Sequence, residues 1–135
     1  MNIHQSRVIL AEKYAHMMGG VYRLLENEAK TVLMVSDMMS LYHALENHHP
    51  DVMVVDHALS DSRDTNIAWA LKKDFPEIKI IILSLHDEKS VIDDVMASGV
   101  EGYVLKRRAV IDLIPALHEV LDGRKYISPD MNEAQ

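Results

Sequence analysis

Apolar positions in this chain come in short unbroken blocks, separated by longer stretches where they return every third or fourth residue. Blocks of the first kind read as strands and stretches of the second kind as helices. Arg7 to Glu12, with Val8-Ile9-Leu10-Ala11 inside it, predicts strand one. Tyr14 to Glu28 predicts helix one, since Met17, Met18, Val21, Leu24 and Leu25 repeat at helical spacing. The pair Gly19-Gly20 weakens it. Thr31 to Val35 is strand two, and Met38 to Asn47 is helix two. His48-His49-Pro50 ends that helix, because proline disfavours a helical residue before it. Val52 to Asp56 is strand three, and Thr65 to Phe75 is helix three, stopped by Pro76. Ile78 to Ser84 is strand four. Asp87 to Ser98 is helix four, with Asp87 as its cap and Gly99 as its terminator. Tyr103 to Lys106 is strand five, and Val110 to Leu121 is helix five, closed by Gly123. Pro115 falls in the first turns of that helix or kinks it.

Strict strand–helix alternation predicts βαβ units with right-handed crossovers and a parallel sheet. Five strands and five helices in about 120 residues match an α/β doubly wound (βα)5 fold, flavodoxin/CheY-like, with strand order 2-1-3-4-5. The predicted domain runs over residues 7–123. Residues 1–6 read as a flexible N-terminal segment. Residues 124–135 read as a polar tail or the start of a linker, with Ser128-Pro129 as a turn.

In such a sheet, chemistry gathers beyond the carboxyl ends of the strands. Four predicted strands end in a polar residue there: Glu12, Asp56, Ser84 and Lys106. Two acids, a hydroxyl and an ammonium on neighbouring strand tips form one cluster that can hold a phosphoryl group on Asp56.

Composition narrows the choices. Of 135 residues, 48% are apolar and 26% charged, as in an ordinary one-domain globular chain. Cysteine is absent, which removes disulfide and thiolate chemistry. No signal-peptide core or membrane-length apolar run is visible, so the expectation is a cytoplasmic protein with no membrane contact. A formal charge of −7 argues against direct nucleic-acid binding.

These residues resemble the receiver domain of two-component response regulators over about residues 7 to 123. The family pattern has an acidic pair after strand one, a phosphoacceptor Asp after strand three, Ser or Thr after strand four and Lys after strand five. Glu12-Lys13, Asp56, Ser84 and Lys106 stand in those places. Glu101-Gly102-Tyr103-Val104-Leu105-Lys106, His49-Pro50-Asp51 and Asp122-Gly123-Arg124-Lys125-Tyr126-Ile127-Ser128-Pro129 are similar to receivers of LuxR/NarL-type transcription regulators. The resemblance implies phosphotransfer to Asp56 from a sensor histidine kinase or phosphotransfer protein, with Lys106 and Ser84 on phosphoryl oxygens. It implies Mg2+ held by Glu12, Asp56 and the main-chain carbonyl of Ala58. It makes Ser84 and Tyr103 switch residues, the Tyr103 ring turning inward as Ser84 is drawn to the phosphoryl group. It implies signalling rather than enzyme activity, a LuxR-type DNA-binding domain as output in the full-length protein, and leaves a homodimer open.

The chain departs from the pattern at several places. Lys13 replaces the second acid, so the Mg2+ site is weakened or lost if that ammonium points inward. Two unit charges about 4 Å apart interact by about 4 kcal/mol at an effective dielectric of about 20. Lys13 either pairs with Asp56 in the metal's place or points away. Ser60-Asp61, Asp64, Leu85 and Arg107 also differ from the family, and Leu85 is expected to crowd the pocket. The alternative reading is a pseudo-receiver that works by protein contact without phosphorylation. A phosphatase of haloacid-dehalogenase type would need an acid at Ala58, and nucleotide binding would need a Gly-rich loop after strand one; the chain has neither. His48-His49 do not share a helix face and are not read as a metal site. Trp69 and most of the nine methionines are expected in the core.

Overall fold

The computed structural model describes residues 1–14, 19–60 and 66–129. Expectations for Met17, Met18, Asp61, Asp64 and Thr65 lie outside these residues. In chain order the elements are β1 (Arg7–Ala11), α1 (Gly19–Glu28), β2 (Thr31–Val35), α2 (Met38–Asn47), β3 (Val52–Asp56) and α3 (Ile67–Asp74). Then come β4 (Lys79–Ser84), α4 (Lys89–Ala97), β5 (Gly102–Leu105), α5 (Ala109–Leu121) and β6 (Tyr126–Ile127). All strands are parallel, in the order β2-β1-β3-β4-β5-β6.

Side chains alternate across a strand, so each central strand feeds two cores. Val8, Leu10, Val52, Val54, Ile81 and Leu83 pack with Leu25 of α1 and Leu113 and Leu117 of α5. Ile9, Met53, Val55, Ile80 and Ile82 face the other way, onto Leu41 of α2, Leu71 of α3 and Val95 of α4. Every residue of β3 is buried. Burying one such Val or Ile side chain stabilises by about 1.5–3 kcal/mol. This double layer fixes where β1, β3, β4 and β5 end.

Several element ends differ from expectation. Asn66 caps α3, its side chain accepting from the Ala68 N–H at 3.1 Å, so α3 starts after residue 65. Asp87 does not cap α4; Glu88 precedes that helix without a side-chain cap, and Asp87 pairs instead with Arg107 at 3.3 Å. Gly99 does terminate α4, at φ 97°, a conformation that suits only glycine well. Lys106 has left the strand and opens a 3-10 turn, Lys106–Arg108, that leads into α5. Pro115 lies inside α5 without ending it. The carbonyl of Ile111 loses its helical donor there, and since both residues are exposed, water can replace it.

The largest difference is at the termini. The polar tail supplies β6, which pairs Tyr126 with Gly102 and Ile127 with Tyr103. Ser128, read as a turn residue, is buried. Two residues make a strand too short for periodicity to reveal. Residues 1–6, read as flexible, include a 3-10 turn at Ile3–Gln5, and Ile3 is buried in the core. Trp69 is 46% exposed rather than core. Of the methionines, Met53 is fully buried while Met1 and Met39 are exposed. Among the described residues no helix is long and apolar enough to cross a membrane.

Candidate functional site

The register brings the strand tips together. Ala11 pairs with Val55, and Asp56 pairs with Leu83, so Glu12, Asp56 and Ser84 emerge side by side. All three are buried, at 1% exposure each. Ser84 pairs with Leu105, and Lys106 follows it. The Lys106 ammonium lies 3.0 Å from Asp56 Oδ1 and 3.2 Å from Glu12 Oε1. The Ala58 N–H donates to Asp56 Oδ1 at 3.0 Å, and the Tyr14 N–H to Glu12 Oε1 at 3.3 Å. The remaining oxygens, Asp56 Oδ2 and Glu12 Oε2, are buried without a hydrogen-bond partner.

Two buried carboxyls share one ammonium, so they cannot both ionise freely. Burial pushes the Glu12 carboxyl up to about 7; the adjacent Asp56 carboxyl adds to the rise, and Lys106 only partly opposes it. Burial would also raise Asp56, but the neighbouring Glu12 carboxyl, the Ala58 N–H and the Lys106 ammonium outweigh it and hold Asp56 below its ordinary value. The two carboxyls are therefore pushed apart, Glu12 the weaker acid and Asp56 the stronger. An ionised carboxylate with one oxygen unpartnered is a ready nucleophile.

Lys13 is exposed, its ammonium 5.8 Å from the centre of the Tyr14 ring. The cation that meets Asp56 is Lys106. Leu85, expected to crowd the pocket, is 75% exposed. It follows the last residue of β4, where alternation sends it away from Ser84. Ala58 sits exposed in the tight turn closed by Leu59 N–H on Asp56 C=O at 3.0 Å.

Ser84 is engaged elsewhere. Its Oγ lies 3.2 Å from Nδ1 of His57 and accepts from the His86 N–H at 3.1 Å. Tyr103 is fully buried and already turned inward, where the sequence reading had it turn in only on activation; its hydroxyl donates to the His86 carbonyl at 2.7 Å. Burial raises the phenol, and a hydrogen bond with Ser84 offsets part of this. His57 and His86 pack edge to face, ring centres 5.9 Å apart.

Sequence reasoning named neither histidine. Once Asp56 stands opposite Leu83, His57 falls beside Ser84, so the signal lay in the register. It also missed the buried group below Lys106. There Arg108 holds Asp112 at 2.8 Å and 3.1 Å, and Ser128 Oγ donates to Asp112 at 2.7 Å while accepting from the Leu105 N–H at 3.0 Å.

A family model described as the response regulator receiver domain matches residues 8–118. The oxygen regulatory protein NreC of Staphylococcus carnosus is 28% identical over 128 residues, covering 93% of this chain and 59% of that protein. The transcriptional regulatory protein DegU of Brevibacillus brevis is 28% identical over 131 residues, covering 96% and 56%. The chain thus spans less than two thirds of the length of these relatives. The RcsB response regulator of Salmonella typhimurium superposes with a TM-score of 0.83 at 24% identity, over 94% of this chain and 64% of that one. A LuxR-family two-component response regulator from Aurantimonas sp. SI85-9A1 gives 0.82 at 22%, over 96% and 94%. These two likenesses show the shared fold. With a family match across most of the sheet and the strand order to go with it, the chain belongs to the response-regulator receiver domains and resembles those of NarL/LuxR-type regulators.

Proposed function

We propose that Asp56 accepts a phosphoryl group from a phosphohistidine of a sensor histidine kinase or phosphotransfer protein. An Asp56 oxygen attacks phosphorus, the phosphorus–nitrogen bond breaks, and the imidazole leaves with the electron pair and takes up a proton. The observation that carries this reading is the pairing of Asp56: one oxygen held by Lys106 and the Ala58 N–H, the other buried and unpartnered. Phosphoryl transfer asks mainly for positioning and charge neutralisation. Lys106 brings the charge, and Ser84 brings a hydroxyl from the neighbouring strand.

The two unpartnered carboxylate oxygens of Glu12 and Asp56 also fit a hard divalent cation, which takes oxygen ligands. Among the described residues no three His, Cys, Asp or Glu side chains are grouped to hold a metal. Mg2+ would therefore rest on Glu12, Asp56 and the Ala58 carbonyl, with water and phosphoryl oxygens completing the shell. When bound, it supplies positive charge against the phosphoryl oxygens. Lys13 is exposed and leaves these oxygens to the cation. An outward Lys13 lifts the charge repulsion, while the second carboxylate of the family pattern stays absent.

The output follows from the same network. The loop from Ser84 to His86 holds both the serine and the tyrosine hydroxyls. Drawing Ser84 toward a phosphoryl group therefore moves the His86 backbone, the Tyr103 ring and the α4–β5–α5 surface. The reading extends to a LuxR-type DNA-binding domain as output, a homodimer and a cytoplasmic location. The test is acetyl phosphate with Mg2+, followed by intact mass. We expect one phosphoryl adduct on the wild type and none on Asp56→Asn. An unmodified wild type at millimolar donor overturns the reading.

A further inference from the structure

We propose that His57 is a positioning residue that holds the Ser84 hydroxyl at rest and sets how readily it is released to a phosphoryl oxygen on Asp56. The proposal rests on the phosphoacceptor reading above and deepens it. A serine hydroxyl has one hydrogen to donate. The Ser84 oxygen already accepts the His86 N–H, and its side chain is buried, so water does not compete freely. The His57 Nδ1 lies 3.2 Å from Ser84 Oγ, and in the tautomer that carries its proton on Nε2 it accepts that hydrogen. The Tyr103 hydroxyl donates its own hydrogen to the His86 carbonyl and so has none to give to Ser84.

His57 is well placed for this. It directly follows Asp56, and its N–H donates to the Leu83 carbonyl at 2.7 Å, so its backbone is pinned across β3 and β4. Its ring is half-buried and packs edge to face on His86. The ring thus bridges the residue next to the nucleophile and the loop that carries the serine. A phosphoryl oxygen must compete with His57 for the hydroxyl. The imidazole raises the cost of the switched state by the strength of one hydrogen bond.

The experiment measures acetyl-phosphate uptake and beryllofluoride affinity in His57→Leu, Ser84→Ala and the double variant. His57→Leu should strengthen both by roughly three- to tenfold, the size of one neutral hydrogen bond. In the Ser84→Ala background the same change should have no effect, because the hydroxyl it acts on is gone. His57→Asn, which keeps a side-chain acceptor, should return toward wild type. Equal effects of His57→Leu with and without Ser84 overturn the proposal while leaving the phosphoacceptor reading intact. A wild type that takes no phosphoryl group overturns both. The 15N shift of His57 Nδ1 in the wild type gives a readout independent of the variants' folding. It should move on beryllofluoride binding, and an unchanged shift overturns the proposal.

Discussion

At the scale of single residues, the site is a problem of charge shared among three side chains. Lys106 offers one positive charge to two buried carboxyls, and their mutual repulsion raises Glu12 while Asp56 is held low. Lys106→Ala should therefore slow acetyl-phosphate uptake by at least about tenfold, the cost of one lost charge-assisted contact. The rate of adduct growth by mass spectrometry checks this. Leu85→Ala should leave stability within about 0.5 kcal/mol of wild type, because the side chain is largely in solvent. Urea denaturation would show otherwise if Leu85 filled the pocket. The nearness of Glu12, Asp56, Ser84 and Lys106 was legible from the sequence, since each closes an apolar run and parallel neighbouring strands end on one side of the sheet. The direction of Lys13 was not legible, because a long side chain at a loop position has rotamers toward the site and away from it. The hold of His57 and His86 on Ser84 needed the register between β3 and β4, which no local pattern encodes.

At the scale of elements, two interactions set the frame. Gly102 faces Ile81 across β4 and β5, and a Cβ there would lie 2.9 Å from Ile81 Cγ1. Ile81 is fully buried and has no room to yield. Gly102→Ala should cost about 1–3 kcal/mol by overpacking. Gly20→Ala in α1 meets nothing within 4 Å and should gain up to about 1 kcal/mol. The second interaction joins α5 to β6. Burial alone would raise Asp112, but hydrogen bonds from Arg108 and Ser128 outweigh it and hold the carboxyl below its ordinary range. A depressed folded-state value stabilises the fold above the unfolded value of about 3.9, and the benefit is lost as pH falls through the folded value. Asp112→Asn should be less stable than wild type at neutral pH, with the gap closing below about pH 4 in urea titrations across pH. The helices and central strands were readable because their apolar spacing runs over several turns or a whole buried strand. β6 was not, because two residues carry no period and its partner is set by tertiary contact.

At the scale of the whole molecule, strict alternation demands a parallel sheet of five strands with helices on both faces, and β6 extends it at one edge. The acidic balance of −7 bears on solubility and association and adds nothing to that architecture. The boundary drawn at residue 123 from the polar tail falls short of the sheet. A chain ended there would uncover the outer edge of β5 and leave the Leu105 N–H without its Ser128 acceptor. Such a truncation should lower the thermal midpoint and promote self-association through the bared edge. Differential scanning calorimetry and size-exclusion chromatography would show both.

β6 runs the same way as every other strand. The polypeptide therefore leaves the sheet on the side where Asp56 and Lys106 lie and enters it, through Arg7, on the opposite side. A tag joined ahead of the first residue is held away from the carboxylates. One joined after Pro129 begins on their side of the sheet, at the edge strand and three strands across from β3, where a bulky fusion shares that face with an incoming donor.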